Sequence, residues 1–317
     1  MSEVRYALLI PFYNEEAQVR ITADTVHKIM SSLDGSFEIL FIDDGSKDRT
    51  WDEIEIVSQR YPEVRAIRFS RNFGKEAAIC AAMKECSADA VILIDGDLQH
   101  PPELIHQMVE LWKQGYEVVE AKKNDRGKES IFSRFAANSF YKLFAGTGDI
   151  NLKNASDFKL LDKKVVEAFN QFSERGTFFR GLSAWLGFKR KEVLFEVAER
   201  QTGISKWNLS RKIRLSIDAI SAFSSKPLEL ILLLGIVFVV LGMILALQTL
   251  IKFCLGHAAI GFTTVILLEL IIGGLILLSL GIIGIYISRI YDEVKARPRY
   301  IISERILPKS DRTDSSN

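Results

Sequence analysis

The chain has 317 residues, of which 41 are Lys or Arg and 40 are Asp or Glu, giving a formal net charge of +1. That near-balance argues against a nucleic-acid binder, which needs a basic excess, and 48% hydrophobic content excludes disorder over most of the length. Three cysteines, Cys80, Cys86 and Cys254, cannot build a disulfide framework and fit a reducing compartment.

Taken in order, the chain first alternates strands and helices. No signal peptide is expected, because Met1-Ser-Glu-Val-Arg-Tyr leads directly into a short strand, Tyr6 to Pro11. A helix follows over about 16–32, a strand over 37–43, and a helix from about Arg49. A third strand covers 64–69, with an Ala-rich helix near 75–85. The apolar run 89–95 is a fourth strand, Pro101-Pro102 opens a helix, and 117–121 is a fifth strand. Apolar strands separated by helices imply a doubly wound, mostly parallel α/β sheet.

From residue 228 the solvent changes. Within 228–288 only Glu229, Lys252 and Glu269 are charged, against about 16 expected from the whole-chain average. Leu228 to Ile251 would span about 36 Å as a helix, enough to cross a bilayer core of roughly 30 Å. A second span covers about 262–288, so a transmembrane hairpin is expected rather than a helical pair in a soluble core. Arg211, Lys212, Arg214 and Lys226 precede the hairpin, and Arg289, Lys295, Arg297 and Arg299 follow it. The positive-inside rule then places both termini in the cytoplasm. Glu269 is costly in lipid and should face a partner helix or the interface. Gly273, Gly274, Gly281 and Gly284 would permit helix association, and so a homo-oligomer. Upstream, Leu209, Ile213, Ile217 and Ile220 recur at helical spacing beside Arg211, Lys212 and Arg214, which reads as an interfacial amphipathic helix.

Open parallel sheets bind ligands at the carboxyl ends of their strands. No G-x-G-x-x-G follows the first strand and no P-loop occurs; Gly146-Thr-Gly148 reads as a turn. Dinucleotide dehydrogenases and P-loop ATPases are therefore poor readings. Polar and acidic residues instead gather at the ligand edge. Asp95 and Asp97 flank a glycine after the fourth strand, where extended geometry would project them to one side. With no Lys or Arg beside them they would repel unless a cation lay between, and hard oxygens suit Mg²⁺ or Mn²⁺ bound to a diphosphate. Gln99 could add a neutral oxygen. Asp43 and Asp44 after the second strand either cap a helix or accept hydrogen bonds from a base or ribose.

These motifs, in order and spacing, resemble the inverting nucleotide-sugar transferases of glycosyltransferase family 2. They are Pro11-Phe-Tyr-Asn-Glu-Glu16, Phe41-Ile-Asp-Asp-Gly-Ser46, Arg71-Asn-Phe-Gly-Lys75 and Asp95-Gly-Asp-Leu-Gln-His-Pro-Pro102. The resemblance continues through Asp157-Phe-Lys-Leu-Leu-Asp162, Phe178-Phe-Arg-Gly181, Arg200-Gln-Thr-Gly-Ile-Ser-Lys206 and Arg297-Pro-Arg-Tyr300. It is strongest to the polyprenyl-phosphate branch, which includes bactoprenol glucosyltransferases and dolichyl-phosphate mannose synthases.

The resemblance implies a GT-A (Rossmann-like) catalytic domain over 1–204, an amphipathic linker over 205–226, the hairpin over 227–290 and a cytoplasmic tail over 291–317. Pro11, Tyr13, Glu15, Ile42, Asp43, Asp44, Arg71, Asp95 and Gly96 would bind the nucleotide. Asp95, Asp97 and Gln99 would hold Mg²⁺ or Mn²⁺. Asp157 and Asp97 would be catalytic, and Arg200, Ser205 and Lys206 would hold acceptor phosphate. The implied reaction is inverting transfer of a sugar, glucose from UDP-glucose as the first choice, to undecaprenyl or another polyprenyl phosphate at the cytoplasmic face of the membrane. Mannose, N-acetylglucosamine or a modified sugar on the same lipid is the alternative. Three positions depart from the pattern: Ser156 where Gly commonly stands, Lys159 where Arg is usual, and Ile285 in place of an acid. Two rivals remain. A processive polysaccharide synthase lacks support, because no Gln-x-x-Arg-Trp occurs and two spans are too few for a pore. A non-catalytic nucleotide-binding membrane adaptor would leave the metal and phosphate positions without a purpose.

Overall fold

A computed structural model of the chain describes residues 4–123, 156–172, 179–195, 226–255 and 262–307. In chain order its elements are β1 (Tyr6–Phe12), α1 (Glu16–Met30), β2 (Phe37–Asp43), α2 (Thr50–Arg60), β3 (Val64–Phe69), α3 (Lys75–Glu85), β4 (Ala90–Leu93) and α4 (Leu104–Lys113). There follow β5 (Val118–Lys123), β6 (Lys159–Asp162), α5 (Lys163–Asn170), α6 (Phe179–Trp185), β7 (Arg190–Phe195), α7 (Lys226–Cys254), α8 (Phe262–Val294) and β8 (Ile302–Ile306). The chain divides into two compact units. One holds residues 1–141, 148–205 and 297–317; the other holds 142–147 and 206–296.

The first unit is built on one eight-stranded sheet in the order β7-β5-β6-β4-β1-β2-β3-β8. β1 lies parallel between β2 and β4, with Leu8 opposite both Ile39 and Ile92. These central strands are apolar at nearly every position, as strands covered on both faces must be: Tyr6 through Ile10 and Ile39 through Ile42 are fully buried. Helices supply the covering faces through residues at helical spacing, for example Val19, Ala23, Val26 and Met30 of α1. This is the α/β plan expected of a GT-A domain, with one difference. β6 runs antiparallel to both β4 and β5, and β8 antiparallel to β3, so the mostly parallel sheet carries two reversed strands.

Strand β8 is a second difference. Its residues were expected in a cytoplasmic tail, yet Ile302–Ile306 forms the sheet's outer strand beside β3. A five-residue segment with charges on its exposed positions gives no alternation strong enough to read from sequence, and its partner lies more than two hundred residues upstream.

The second unit contains α7 and α8. Ile231–Thr249 and Ile271–Val294 are long and apolar enough to cross a membrane, with mean hydropathy 2.8 and 2.3, and neither stretch is buried within the protein. A core helix of a soluble protein would be covered; these are not. Hydroxyls of Thr249 and Ser279 donate back to the Leu245 and Leu275 carbonyls of their own helices, which satisfies these two donors locally. The amphipathic segment expected around 208–223 lies outside the described residues.

Candidate active site

Strand order reverses at β1: the chain runs outward from β1 to β2 and β3, then crosses back to β4. The crevice at the carboxyl ends of β1 and β4 is thus the topological switch point. Three loops meet there, and hydrogen bonds between them make a single frame. Asn14, in the left-handed region at φ 54, donates from its backbone N–H to Ser46 Oγ (2.9 Å) and accepts from the Lys47 N–H at Oδ1 (2.8 Å). The Glu15 N–H donates to Thr50 Oγ1 (2.9 Å). Asp44 accepts from the Phe73 N–H at Oδ1 (2.7 Å) and from the Gly74 N–H at Oδ2 (2.9 Å), which pins the β3–α3 loop against the end of β2.

Two glycines make this closeness possible. Gly45 has φ +67, and a Cβ there would stand 2.3 Å from the Arg71 carbonyl carbon. A Cβ on Gly96 would stand 2.4 Å from the Phe12 ring, while its carbonyl accepts from Thr22 Oγ1 at 2.6 Å. The Asp95–Asp97 turn is therefore pressed onto the end of β1.

Charge is concentrated beside that turn. Lys75 Nζ lies 2.5 Å from Asp95 Oδ1 and 2.6 Å from Asp157 Oδ2. Arg180 grips the same Asp157 carboxylate with a fork, Nε to Oδ1 at 2.7 Å and Nη2 to Oδ2 at 2.8 Å. Asp157 is only 5% exposed. Burial alone would raise its pKa, but the Arg180 and Lys75 cations overcome this and hold it well below the usual carboxylate range. Lys75 is correspondingly raised: burial works against its charge, and the Asp157 and Asp95 carboxylates outweigh it. Arg180 is seated by Glu76, whose carboxylate accepts from the Phe179 N–H in the first turn of α6 (2.8 Å). Burial pushes the Glu76 carboxyl up to about 7. Glu15 is also pushed up to about 7, by burial and then by Asp97 and Asp95.

A buried network backs Asp157. Ser156 donates its N–H to Glu120 Oε1 (3.0 Å) and its Oγ accepts from the Phe158 N–H (2.9 Å). His100 Nε2 lies 3.2 Å from the same Oγ. Lys159 is fully buried, donates to Ser183 Oγ (2.7 Å) and lies 3.5 Å from Glu120 Oε2. Burial lowers its ammonium to about 8. Two departures from the family pattern, Ser156 and Lys159, thus sit in one network behind the site and have partners.

Of the residues singled out from sequence, Glu15 feels the charges of Asp97 and Asp95, and Asp95 and Asp157 are joined through Lys75. Asp97 and Gln99 are exposed, with Asp97 Oδ1 accepting the Gln99 N–H at 3.1 Å. Tyr13 and Arg71 are exposed, Pro11 is half-buried, and Gly96 is covered by Phe12. Ile42 is fully buried, as is Asp43, whose Oδ1 accepts the Ser46 N–H (2.9 Å). Arg200, Ser205 and Lys206 lie outside the described residues.

One expectation is corrected. Asp95 and Asp97 do not project from an extended strand without a neighbouring cation. β4 ends at Leu93, the pair sits on a turn, and Lys75 reaches Asp95 from another loop. Sequence reasoning quoted the motifs containing Lys75 and Arg180 but gave neither residue a role. Both are basic residues inside motifs that end at the ligand edge, and that was the available signal. His100 likewise lies inside a quoted motif, Asp95–Pro102, whereas Glu76 and Glu120 carried no such signal.

The Glycosyl transferase family 2 model matches residues 7–168, from β1 into α5. Similarity to whole proteins runs further. An uncharacterized glycosyltransferase, YkcC, of Bacillus subtilis (strain 168) is 40% identical over 307 residues, covering 95% of this chain and 94% of that one. The SfII prophage-derived bactoprenol glucosyl transferase of Shigella flexneri is 36% identical over 306 residues, covering 95% and 98%. Among solved structures, glucosyl-3-phosphoglycerate synthase from Mycobacterium tuberculosis in complex with uridine diphosphate is 19% identical, covers 69% of this chain and 79% of that one, and has a TM-score of 0.46. With the family model covering β1 through β6 and relatives matching nearly end to end, the chain belongs to glycosyl transferase family 2.

Proposed function

We propose that the protein transfers glucose from UDP-glucose to the phosphate of a polyprenyl lipid at the cytoplasmic face of a membrane, inverting the anomeric centre. The observation that carries this is the Lys75–Asp157–Arg180 cluster tied to Asp95 at the sheet's switch point, in a chain with two uncovered apolar helices. The name of the Shigella relative supports bactoprenol as acceptor and glucose as the sugar. Mannose or N-acetylglucosamine on the same lipid is the alternative. The span flanks support both termini being cytoplasmic.

The nucleotide would lie along the β1 and β4 ends, against Pro11, Tyr13, Glu15 and Arg71. Asp44 serves it indirectly, since both its oxygens hold the β3–α3 loop. Asp95, Asp97 and Gln99 offer hard oxygen donors that suit Mg²⁺ or Mn²⁺ when a diphosphate and water complete the shell. Among the described residues no three His, Cys, Asp or Glu side chains form a metal-binding group, so the protein alone would be an incomplete cage. Burial is the main reason the Glu15 carboxyl is raised, and the further push from Asp97 and Asp95 supports the fit, because it is negative potential that a divalent cation would relieve. Such a metal, when bound, neutralises charge on the leaving diphosphate.

The attacking group is an acceptor phosphate oxygen. A phosphate monoester has a second pKa near 6 and is largely a dianion at pH 7, so it needs no strong base. Asp157, held ionised between two cations, is a poor proton acceptor and a good fixed anion. Its role is to orient Lys75 and Arg180, which face charge that develops on phosphate oxygens. Arg200, Ser205 and Lys206 would add acceptor contacts.

Membranes containing the protein, given radiolabelled UDP-glucose and undecaprenyl phosphate, should yield a labelled lipid of glucosyl-phosphate mass. No labelled lipid with any nucleotide sugar would favour the adaptor reading instead.

A further inference from the structure

The segment that follows α8 does more than end the chain. Ile301 accepts at its carbonyl from the Ser70 N–H (2.9 Å), and Ser303 Oγ donates to the Arg68 carbonyl (3.2 Å). Tyr300 stacks face to face on Phe69, centroids 5.1 Å apart and planes at 12°. Phe69 meets Phe73 edge-on at 5.8 Å, and the Arg71 guanidinium stands 4.5 Å over the Phe73 ring. On the other flank, Arg299 donates to the Phe172 carbonyl (3.1 Å) and reaches Cys80 Sγ in α3, and Arg305 pairs with Glu85 at the end of α3 (Nη2 to Oε1, 2.9 Å). Residues 299–306 therefore hold β3 before the loop 70–75 and α3 after it. That loop carries Arg71 and Lys75, and it hangs from Asp44 by two amides.

We propose that residues 299–306, with Tyr300 as the central contact, are a positioning element for the loop 70–75, so that donor binding depends on chain lying beyond the second apolar helix. The row of rings Tyr300, Phe69 and Phe73 passes the constraint to the loop: removing Tyr300 leaves one face of Phe69 bare, and Phe73 and the two amides bonded to Asp44 lose their backing. The donor-binding part of this rests on the nucleotide-sugar reading of the site.

The test uses full-length protein in detergent and compares Tyr300→Leu, which removes the stacked ring, with Tyr300→Phe, which keeps it. Two readouts are taken. In ligand-free protein, amide exchange at Phe73 and Gly74 should be about tenfold faster in Tyr300→Leu and near wild type in Tyr300→Phe. In titrations with UDP and Mn²⁺, Tyr300→Leu should bind roughly three- to tenfold more weakly, rescued by Tyr300→Phe. The same split should appear in KM for the sugar donor, with kcat much less changed. Unchanged exchange in Tyr300→Leu overturns the proposal, as does UDP binding equal to wild type. Wild-type protein that ignores UDP sinks the nucleotide reading instead, and the exchange data still decide whether the tail positions the loop.

Discussion

Arg180 offers the sharpest test of how Asp157 works. Arg180→Met removes two charge-assisted hydrogen bonds from a nearly buried carboxylate while leaving Lys75 in place. Such bonds are worth about 1.5–3 kcal/mol each. The Arg180 side chain is 41% exposed, so solvent screening reduces the pair to the worth of about one of them, 2–3 kcal/mol. If that energy is expressed in the transition state, turnover falls roughly 30- to 150-fold. Arg180→Lys should recover only part of the loss, because an ammonium cannot reproduce the fork. The assay is transfer of labelled glucose to undecaprenyl phosphate, with a thermal midpoint as the check on folding; α6 keeps its tie to Glu76 through the Phe179 N–H. A general base makes the opposite forecast. Freeing Asp157 from one cation raises its basicity, so a proton-accepting carboxylate would work as well or better. Arg180→Met turnover within about twofold of wild type would refute the clamp.

Glu76 should make stability fall with pH. Its folded pKa of about 7 stands above the ordinary 4.5, so its contribution is full below 4.5 and lost as pH rises through 7; Glu76→Gln should flatten the thermal midpoint over that window, and an unchanged slope would count against the assignment. Gly45→Ala should cost more than about 3 kcal/mol or abolish folding, since its Cβ would collide with backbone at Arg71 and not with a side chain that can turn; a variant as stable as wild type would contradict the loop geometry. Chelation should abolish transfer and Mn²⁺ or Mg²⁺ should restore it, with Asp97→Ala lost beyond rescue; full activity in EDTA would reject the metal. A membrane-impermeant maleimide should label intact cells at Cys254, which is exposed at the end of α7. Cys80 is buried and the Cys86 thiol is pushed up to about 11 by burial, so neither competes; labelling only after lysis would reverse the proposed orientation.

What the sequence disclosed and what it withheld follow from how far apart the interacting residues lie. β2, β3 and α3 were legible to the residue, because a buried strand needs an unbroken apolar run and a helix needs its own period. The ligand edge was legible for the same reason: once strand ends are known, so are the residues just past them. β6 and β7 escaped, being four and six residues long, with Lys159 at the head of one and three exposed residues opening the other. A buried lysine reads as a surface position until Glu120 and Ser183 are seen around it. The error over Asp95 and Asp97 was of the same kind. Their repulsion was inferred from immediate sequence neighbours, whereas the neutralising charge, Lys75, comes from the start of α3, after a strand three places away in the sheet. Local pattern fixes where each strand ends, but it says little about which charges from different strand ends meet. In this fold those meetings make the site: Asp157 touches Lys75 from 82 positions away and Arg180 from 23. The motif order in the sequence was informative because each of the first four motifs marks a strand end, and the sheet order brings those ends to one edge.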